Sequence, residues 1–339
     1  MMERKILSIV LPTYNRAKFL PRTLSAFQEQ MERNRDKVSF LVCDNASTDG
    51  SEEILKTINK KWPYFEYKIF EEHVDVGYSI ARANSTATGE YILMWGDDDL
   101  PAPYFLDTVL DYIEKYNHPT LIHYNRLWGY DNNVKRINKL AVLDRNIGDE
   151  VLVYNSMNGF LQDHVLDITF LSAIIFKSEC WFKNIHLDTT KHFGYEFLGK
   201  ILHGFVGDII YIQYPLCIQR KPFNRPWMNK SPYYRFIGIP NMYSDFEKWG
   251  LVDSWKSLWM KRGNSTRDFL SIMAQTSIFK KEYRPLFRKL LDSQFSLSRK
   301  FLTFCFVYIV PAFIYKNIRK QYFKSVSYTH LRAHETKAN

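Results

Sequence analysis

Apolar runs separated by amphipathic stretches set the rhythm of the first third of the chain. Residues 6–11 (ILSIVL) are nearly all apolar up to Pro12, the pattern of a strand buried on both faces of a parallel sheet. Leu20, Leu24, Phe27 and Met31 recur at helical spacing and form one face of a helix. Residues 38–43 (VSFLVC) repeat the strand pattern. Asp49 and Glu52 then have capping-box spacing ahead of Ile54 and Ile58, which predicts a helix opening with Asp49 as its N-cap. Tyr67 and Ile69 mark a third strand, residues 79–88 a helix of small side chains, and residues 91–95 (YILMW) a fourth strand. Leu106, Val109, Leu110 and Ile113 mark the next helix, with Pro101 and Pro103 near its start. This alternation predicts the α/β class, with a doubly wound, mostly parallel sheet flanked by helices. In such sheets ligands gather beyond the carboxyl ends of the strands.

After residue 120 the rhythm loosens. Strand-like runs at residues 120–123, 168–176 (ITFLSAIIF) and 209–213 are expected to complete the sheet and build the second wall of a cleft. From about Lys221 aromatic and basic residues dominate, and a helical extension is expected over residues 221–324. Residues 325–339 resemble the translated read-through of a sequencing adapter, so they are expected to be a disordered tail foreign to the fold, with the native C-terminus missing. His330 and His334 within it are not read as metal ligands.

Composition narrows the function classes. With 46% hydrophobic and 24% charged residues among 339, the chain has ample material for a large core and is not disordered. Cys43, Cys180, Cys217 and Cys305 form no CxxC pair, which argues against a zinc ribbon or a disulfide scaffold and for a reducing compartment. No small-residue cleavage pattern follows the first apolar run, so no signal peptide is expected and a cytoplasmic location is. The net charge of +10 is concentrated: residues 280–324 hold eleven Lys and Arg against Glu282 and Asp292. A nucleic-acid partner is therefore not expected, because the rest of the chain is close to neutral. Basic residues flanking the apolar run 301–315 instead fit the anionic inner leaflet of a membrane, and that run is too short for a span of about 20 residues.

The chemistry-bearing residues follow the predicted strands. Asp97, Asp98 and Asp99 come directly after YILMW and Gly96; three adjacent carboxylates repel one another and call for a cation, which Mg2+ or Mn2+ would satisfy while keeping sites for phosphate oxygens. Asp44 ends the second strand, where a carboxylate can accept from a nucleobase N–H or a ribose hydroxyl. Pro12, Tyr14 and Arg16 follow the first strand, where an aromatic ring can stack on a base and a guanidinium can reach a diphosphate. Neither GxGxxG nor GxxxxGK[ST] occurs.

In order and spacing, SIVLPTYNR, LVCDNASTDGS and DVGYSIARANSTATGEYILMWGDDD resemble the donor half of family 2 glycosyltransferases of the GT-A fold, over about residues 5–115. The GDDD form, with the later ITFLSAIIFKSECW, is similar to the abequosyltransferase-like subgroup that builds bacterial surface polysaccharides such as O-antigen. The resemblance implies a GT-A domain over residues 1–220, its acceptor half from about residue 116. It also implies a nucleotide-diphosphate sugar donor, a glycan or lipid-linked acceptor, a divalent cation and inversion at the anomeric carbon. By motif matching Asp44 would meet the base, Arg82 lie near base or phosphate, Asp97 near ribose, and Asp98, with Asp99, on the metal. Gly96 stands where the family often has aspartate. Within GYEFL, Glu196 is the nearest match to the family's catalytic base, with Asp163 and Asp167 as alternatives. A non-catalytic nucleotide-sugar-binding or scaffold protein is the alternative function.

Overall fold

The first apolar run is an interior strand of the sheet. Leu7, Ile9, Val10 and Leu11 have no solvent exposure in β1 (Leu7–Thr13), which is flanked on both edges by parallel neighbours. The computed structural model describes residues 4–130, 151–192, 194–221, 234–258 and 297–304, with residue 317. The chain divides into two compact units, one of Met1–Thr189, Glu196–Lys221 and Phe246–Ser254, the other of Thr190–Tyr195, Pro222–Asp245 and Trp255–Asn339.

In the first unit β1 is followed by α1 (Leu20–Asn34), β2 (Val38–Asp44), α2 (Ser51–Lys61), β3 (Glu66–Ile69), α3 (Val76–Asn84), β4 (Tyr91–Met94), β5 (Leu100–Pro101) and α4 (Phe105–Lys115). Then come β6 (Leu121–Tyr130), β7 (Val151–Tyr154), α5 (Met157–His164), β8 (Ile174–Lys177), α6 (Ser178–Lys183), α7 (Glu196–Leu202) and β9 (Ile209–Lys221). The sheet runs β3-β2-β1-β4-β8-β6-β9-β5, with β7 added on β9. β3, β2, β1 and β4 are mutually parallel, β8 is antiparallel to β4 and β6, and β9 runs parallel to β6.

The face of α1 read from the sequence is the face that docks. Phe27 meets Phe40 and Trp95 edge-on, with ring centroids 5.0 and 4.9 Å apart, and burying a side chain of this size contributes about 1.5–3 kcal/mol. On the same face Gln30 is buried and donates from Nε2 to Ala102 O while its Oε1 accepts from Leu106 N–H, tying the start of α4 to α1.

Three local expectations are corrected. Asp49 is not the N-cap of α2: that position is Gly50, at φ 86°. Asp49 lies one residue earlier, its carboxylate accepting from Ser51 N–H, from the Ser51 hydroxyl and from Ala17 N–H. Residues 168–176 are not one strand. Asp167–Thr169 and Leu171–Ala173 are 3-10 turns, and only Ile174 onward pairs with β4 and β6. The turn is held by the Tyr124 hydroxyl donating to Ser172 O, and it swings the Ser172 hydroxyl out of a strand's alternation. The strand foreseen at residues 209–213 runs on to Lys221, since β6 continues beside it to Tyr130.

In the second unit the buried His192 ring lies 2.9 Å from Asp245 Oδ2, which Lys191 also reaches at 2.8 Å. α9 (Trp255–Leu258) and α10 (Leu297–Phe304) are helical there, and α8 (Ile239–Lys248) begins in this unit and has its last residues in the first. Leu297 and Phe301 of α10 are exposed. The apolar run beyond Phe304 and the segment 325–339 lie outside the described residues, among which no helix is long and apolar enough to cross a membrane.

Candidate active site

The carboxyl ends of β1, β2 and β4 bring the predicted residues together. Thr13 pairs with Asp44 in the β1–β2 register, and Asn45 N–H donates to Thr13 O. Beyond this pair both chains turn through the left-handed region, Asn15 at φ 54° and Ala46 at φ 62°, a conformation a non-glycine side chain resists. Side chains hold the turns: Asn15 Oδ1 accepts from Thr48 N–H, and Ser47 Oγ from Asn15 N–H. Pro12 lies within β1 opposite Cys43, and Tyr14 is 40% exposed.

Asp44 is fully buried. Its Oδ1 accepts from Ser47 N–H at 2.8 Å, and its Oδ2 has no hydrogen-bond partner. Leaving a buried carboxylate oxygen unpaired is costly, so this atom is poised for a donor brought by a ligand.

Arg82 of α3 packs against the neighbouring loop. Its guanidinium stacks 3.7 Å over Phe70 and donates to Glu72 O and to Asn45 Oδ1, clamping residues 70–74 onto the end of β2. Burial draws its pKa down, opposed by the nearby Cys43 and Asp44. Asn45 completes the clamp by accepting from Val74 N–H and donating to Val74 O.

The three aspartates after β4 have different surroundings. Asp97 receives the Thr13 hydroxyl at 2.9 Å and lies 3.3 Å from Arg16 Nε. Burial pushes its pKa up to about 7, opposed by Arg16 and raised further by Asp98. Asp99 faces inward, its carboxylate accepting from the Ser172 hydroxyl at 2.7 Å and from Arg220 N–H at 3.1 Å. Asp98 has no hydrogen-bond or ion-pair partner among the described residues. One open carboxylate beside a protonation-prone one fits Mg2+ or Mn2+, which takes one or two protein carboxylates and completes its shell with phosphate oxygens and water. An all-protein cage is not what this site offers: among the described residues no three His, Cys, Asp or Glu side chains gather as a metal group.

Gly96 is enforced by this loop. A Cβ there would lie 2.8 Å from Asp99 Oδ2 and 3.1 Å from Ser172 Oγ, which accepts from Gly96 N–H. Phe19 carries two guanidiniums, Arg220 at 3.6 Å and Arg16 at 5.6 Å. Both lower the pKa of Asp97, so two cations face the acidic loop.

Glu196 opens α7, and its carboxylate lies against the first turn of α3, where a Cβ on Gly77 would be 3.2 Å from Cδ and Oε2. Its Oε2 is buried without a partner. Asp163 and Asp167 sit elsewhere, in a half-buried network: Asp163 accepts from the Tyr154 hydroxyl, and Asp167 Oδ1 lies 3.5 Å from Arg126. Asn45, His73, Gly77 and Ser172 were not singled out by the sequence. Asn45, Gly77 and Ser172 lie within the strings LVCDNASTDGS, DVGYSIARANSTATGEYILMWGDDD and ITFLSAIIFKSECW, which gave them no role, and His73 lies in none of them.

A doubly wound sheet with its acidic and basic side chains gathered at the carboxyl ends of the parallel strands defines the class: this is a GT-A fold. S. aureus TarS 1-349 has the same fold, with a TM-score of 0.58 at 14% identity over 94% of this chain and 92% of that one. The model of glycosyl transferase family 2 matches residues 8–177, and the chain belongs to that family. Abequosyltransferase RfbV of Salmonella typhimurium is 28% identical over 110 residues, 32% of this chain and 33% of that protein. Putative glycosyltransferase EpsE of Bacillus subtilis is 27% identical over 113 residues, 33% of this chain and 39% of that one. The matched segment thus spans only about a third of these relatives' length.

Proposed function

We propose that this protein transfers a sugar from a nucleoside-diphosphate donor to a glycan or lipid-linked acceptor in the making of a bacterial surface polysaccharide, with inversion at the anomeric carbon. The observation that carries the reading is the convergence of Asp44, Asp97, Asp98 and Arg16 at adjoining strand ends, with the unpaired Asp44 Oδ2 among them. A TarS 1-349 structure in complex with UDP-GlcNAc, of TM-score 0.56, and the name of RfbV agree with a nucleotide-sugar donor.

In this reading Asp44 accepts from the base, Asp97 from the ribose, and Arg16 and Arg220 face the diphosphate. Asp98 would hold Mg2+ or Mn2+, which would supply positive charge to neutralise the departing diphosphate. The acceptor hydroxyl oxygen attacks the anomeric carbon. The bond from that carbon to the phosphate oxygen breaks, its electron pair leaves on the diphosphate, and the hydroxyl proton passes to Glu196. A base on the face opposite the leaving group gives inversion without a covalent intermediate. The basic segment 280–324 would keep the enzyme at the anionic inner face of the cell membrane, where a lipid-linked acceptor lies.

Thermal unfolding with UDP, GDP, CDP or TDP, each with and without Mn2+, tests the reading, because a ligand of the native state raises Tm in proportion to its affinity. At least one nucleotide with Mn2+ should raise Tm clearly above either alone. No shift with any of the four would overturn the proposal.

A further inference from the structure

The aromatic ring nearest Tyr14 belongs to a residue that no motif marks. His73 lies in the loop between β3 and α3, and its ring stacks on Tyr14 with centroids 4.0 Å apart and planes tilted by 33°. Both side chains are exposed, so hydrophobic burial does not explain the pairing. The loop is fixed at the strand ends: Phe70 N–H donates to Asp44 O, and Asn45 grips Val74 through both of its amide atoms.

Those bonds also set the ring. Asn45 Oδ1 is taken by the Val74 N–H and by Arg82, so the Asn45 amide nitrogen is the atom that faces His73 Nδ1, at 3.1 Å. Nδ1 also lies 3.3 Å from Asn45 O, so it accepts from the amide nitrogen or donates to that carbonyl according to its tautomer. The imidazole is held by one edge while its face is left to Tyr14.

We propose that His73 is a nucleobase-contacting residue: with Tyr14 it forms two walls of an aromatic slot beside Asp44, into which the base of a nucleoside diphosphate slides. The inference rests on the nucleotide-donor reading above. Every base has two π faces, and each aromatic wall that meets one adds stacking. Ring on ring leaves no gap for a base, so the exposed Tyr14 side chain swings aside to admit one, and the base then replaces that contact with two of its own. Asp44 Oδ2 then meets the base edge-on, which gives its unpaired oxygen a donor.

Calorimetry on the full chain tests this with UDP, GDP, CDP and inorganic pyrophosphate, each with Mn2+. His73→Ala should weaken the preferred nucleotide about tenfold, the loss expected for one stacking wall. Pyrophosphate, which has no base, should bind as before. His73→Phe restores a flat face and should return affinity to within about threefold of wild type. Unchanged nucleotide affinity in His73→Ala would overturn the proposal. So would an equal loss of pyrophosphate, which would make His73 only a prop for the loop, or a Phe variant as weak as Ala. If the wild type binds pyrophosphate but none of the nucleotides, the donor reading itself fails and this inference with it.

Discussion

Gly77 and Glu196 are fitted to each other: the missing side chain of the one makes the place of the other. A Cβ at residue 77 would lie 3.2 Å from Glu196 Cδ and Oε2 and 3.5 Å from Oε1. Such contacts are tight enough that the carboxylate would have to shift by a few tenths of an ångström. Gly77 is the second residue of α3, so the glycine of the donor-side helix admits a carboxylate that arrives more than a hundred residues later in the chain.

Gly77→Ala should therefore impair transfer while leaving donor binding intact. If Glu196 is the base proposed above, displacing it by a fraction of an ångström should lower kcat by about tenfold, and Glu196→Gln should lower it further by removing the proton acceptor. Steady-state kinetics with calorimetric donor affinity checks both. A Glu196→Gln enzyme with normal kcat would remove Glu196 from the chemistry and return attention to Asp163 and Asp167.

Asp98 and Asp99 are neighbours with opposite expected responses. Asp98→Asn should abolish metal-dependent transfer by orders of magnitude yet leave Tm nearly unchanged, since its carboxylate has no partner among the described residues. Asp99→Ala should cost about 1–3 kcal/mol of stability, because the Ser172 hydroxyl and Arg220 N–H would lose their acceptor in a buried place. Parallel denaturant melts and activity assays separate the two. Equal destabilisation by both would contradict the distinction.

The sheet from β1 to β4 was legible because its strands are unbroken apolar runs and α1 shows a clean helical stripe through Leu20, Leu24, Phe27 and Met31. Asp44, Asp97 and Asp98 were legible for a related reason: each follows directly from a buried strand, so the strand fixes its place. What stayed hidden depends on contacts across long sequence distances. Ser172 joins the acidic loop from 76 residues beyond Gly96, and Arg82 reaches Asn45 from 37 residues away. No local periodicity encodes either. The 3-10 turns at residues 167–173 were hidden for the same reason, since the apolar run looks like a strand until the Tyr124 hydroxyl bends it.

Asp44→Asn isolates the base contact. The amide keeps Oδ1 as acceptor for Ser47 N–H but replaces the unpaired oxygen by a donor, so the fold should be retained while a base N–H meets an N–H. Nucleotide affinity should fall about tenfold or more, with pyrophosphate and Mn2+ binding unchanged. Calorimetry showing equal nucleotide affinity would count against Asp44 as the base acceptor.

The last prediction concerns pH and the buried ring of His123. Its side chain has no exposure, Nε2–H donates to Asp167 O at 3.1 Å, and Nδ1 has no partner. Burial pushes its pKa down to about 3, helped by His164 and Arg126 and opposed by Asp167. The folded ring is thus neutral wherever the unfolded one, near 6.5, takes up a proton. Its contribution is complete above pH 6.5 and is lost as pH falls towards 3, amounting to about 2 kcal/mol by pH 5. Asp167 also has a lowered pKa, and its contribution disappears only below the ordinary carboxylate range near 4; Asp97, raised to about 7, gains stability with acid across pH 5–6.5, so the histidine is read from the difference between wild type and His123→Phe, which share Asp97. Urea melts across that window should show the stability of His123→Phe rising relative to wild type as the pH falls, even if the variant begins lower. Parallel slopes would mean that His123 is protonated in the fold and that the loss arises elsewhere.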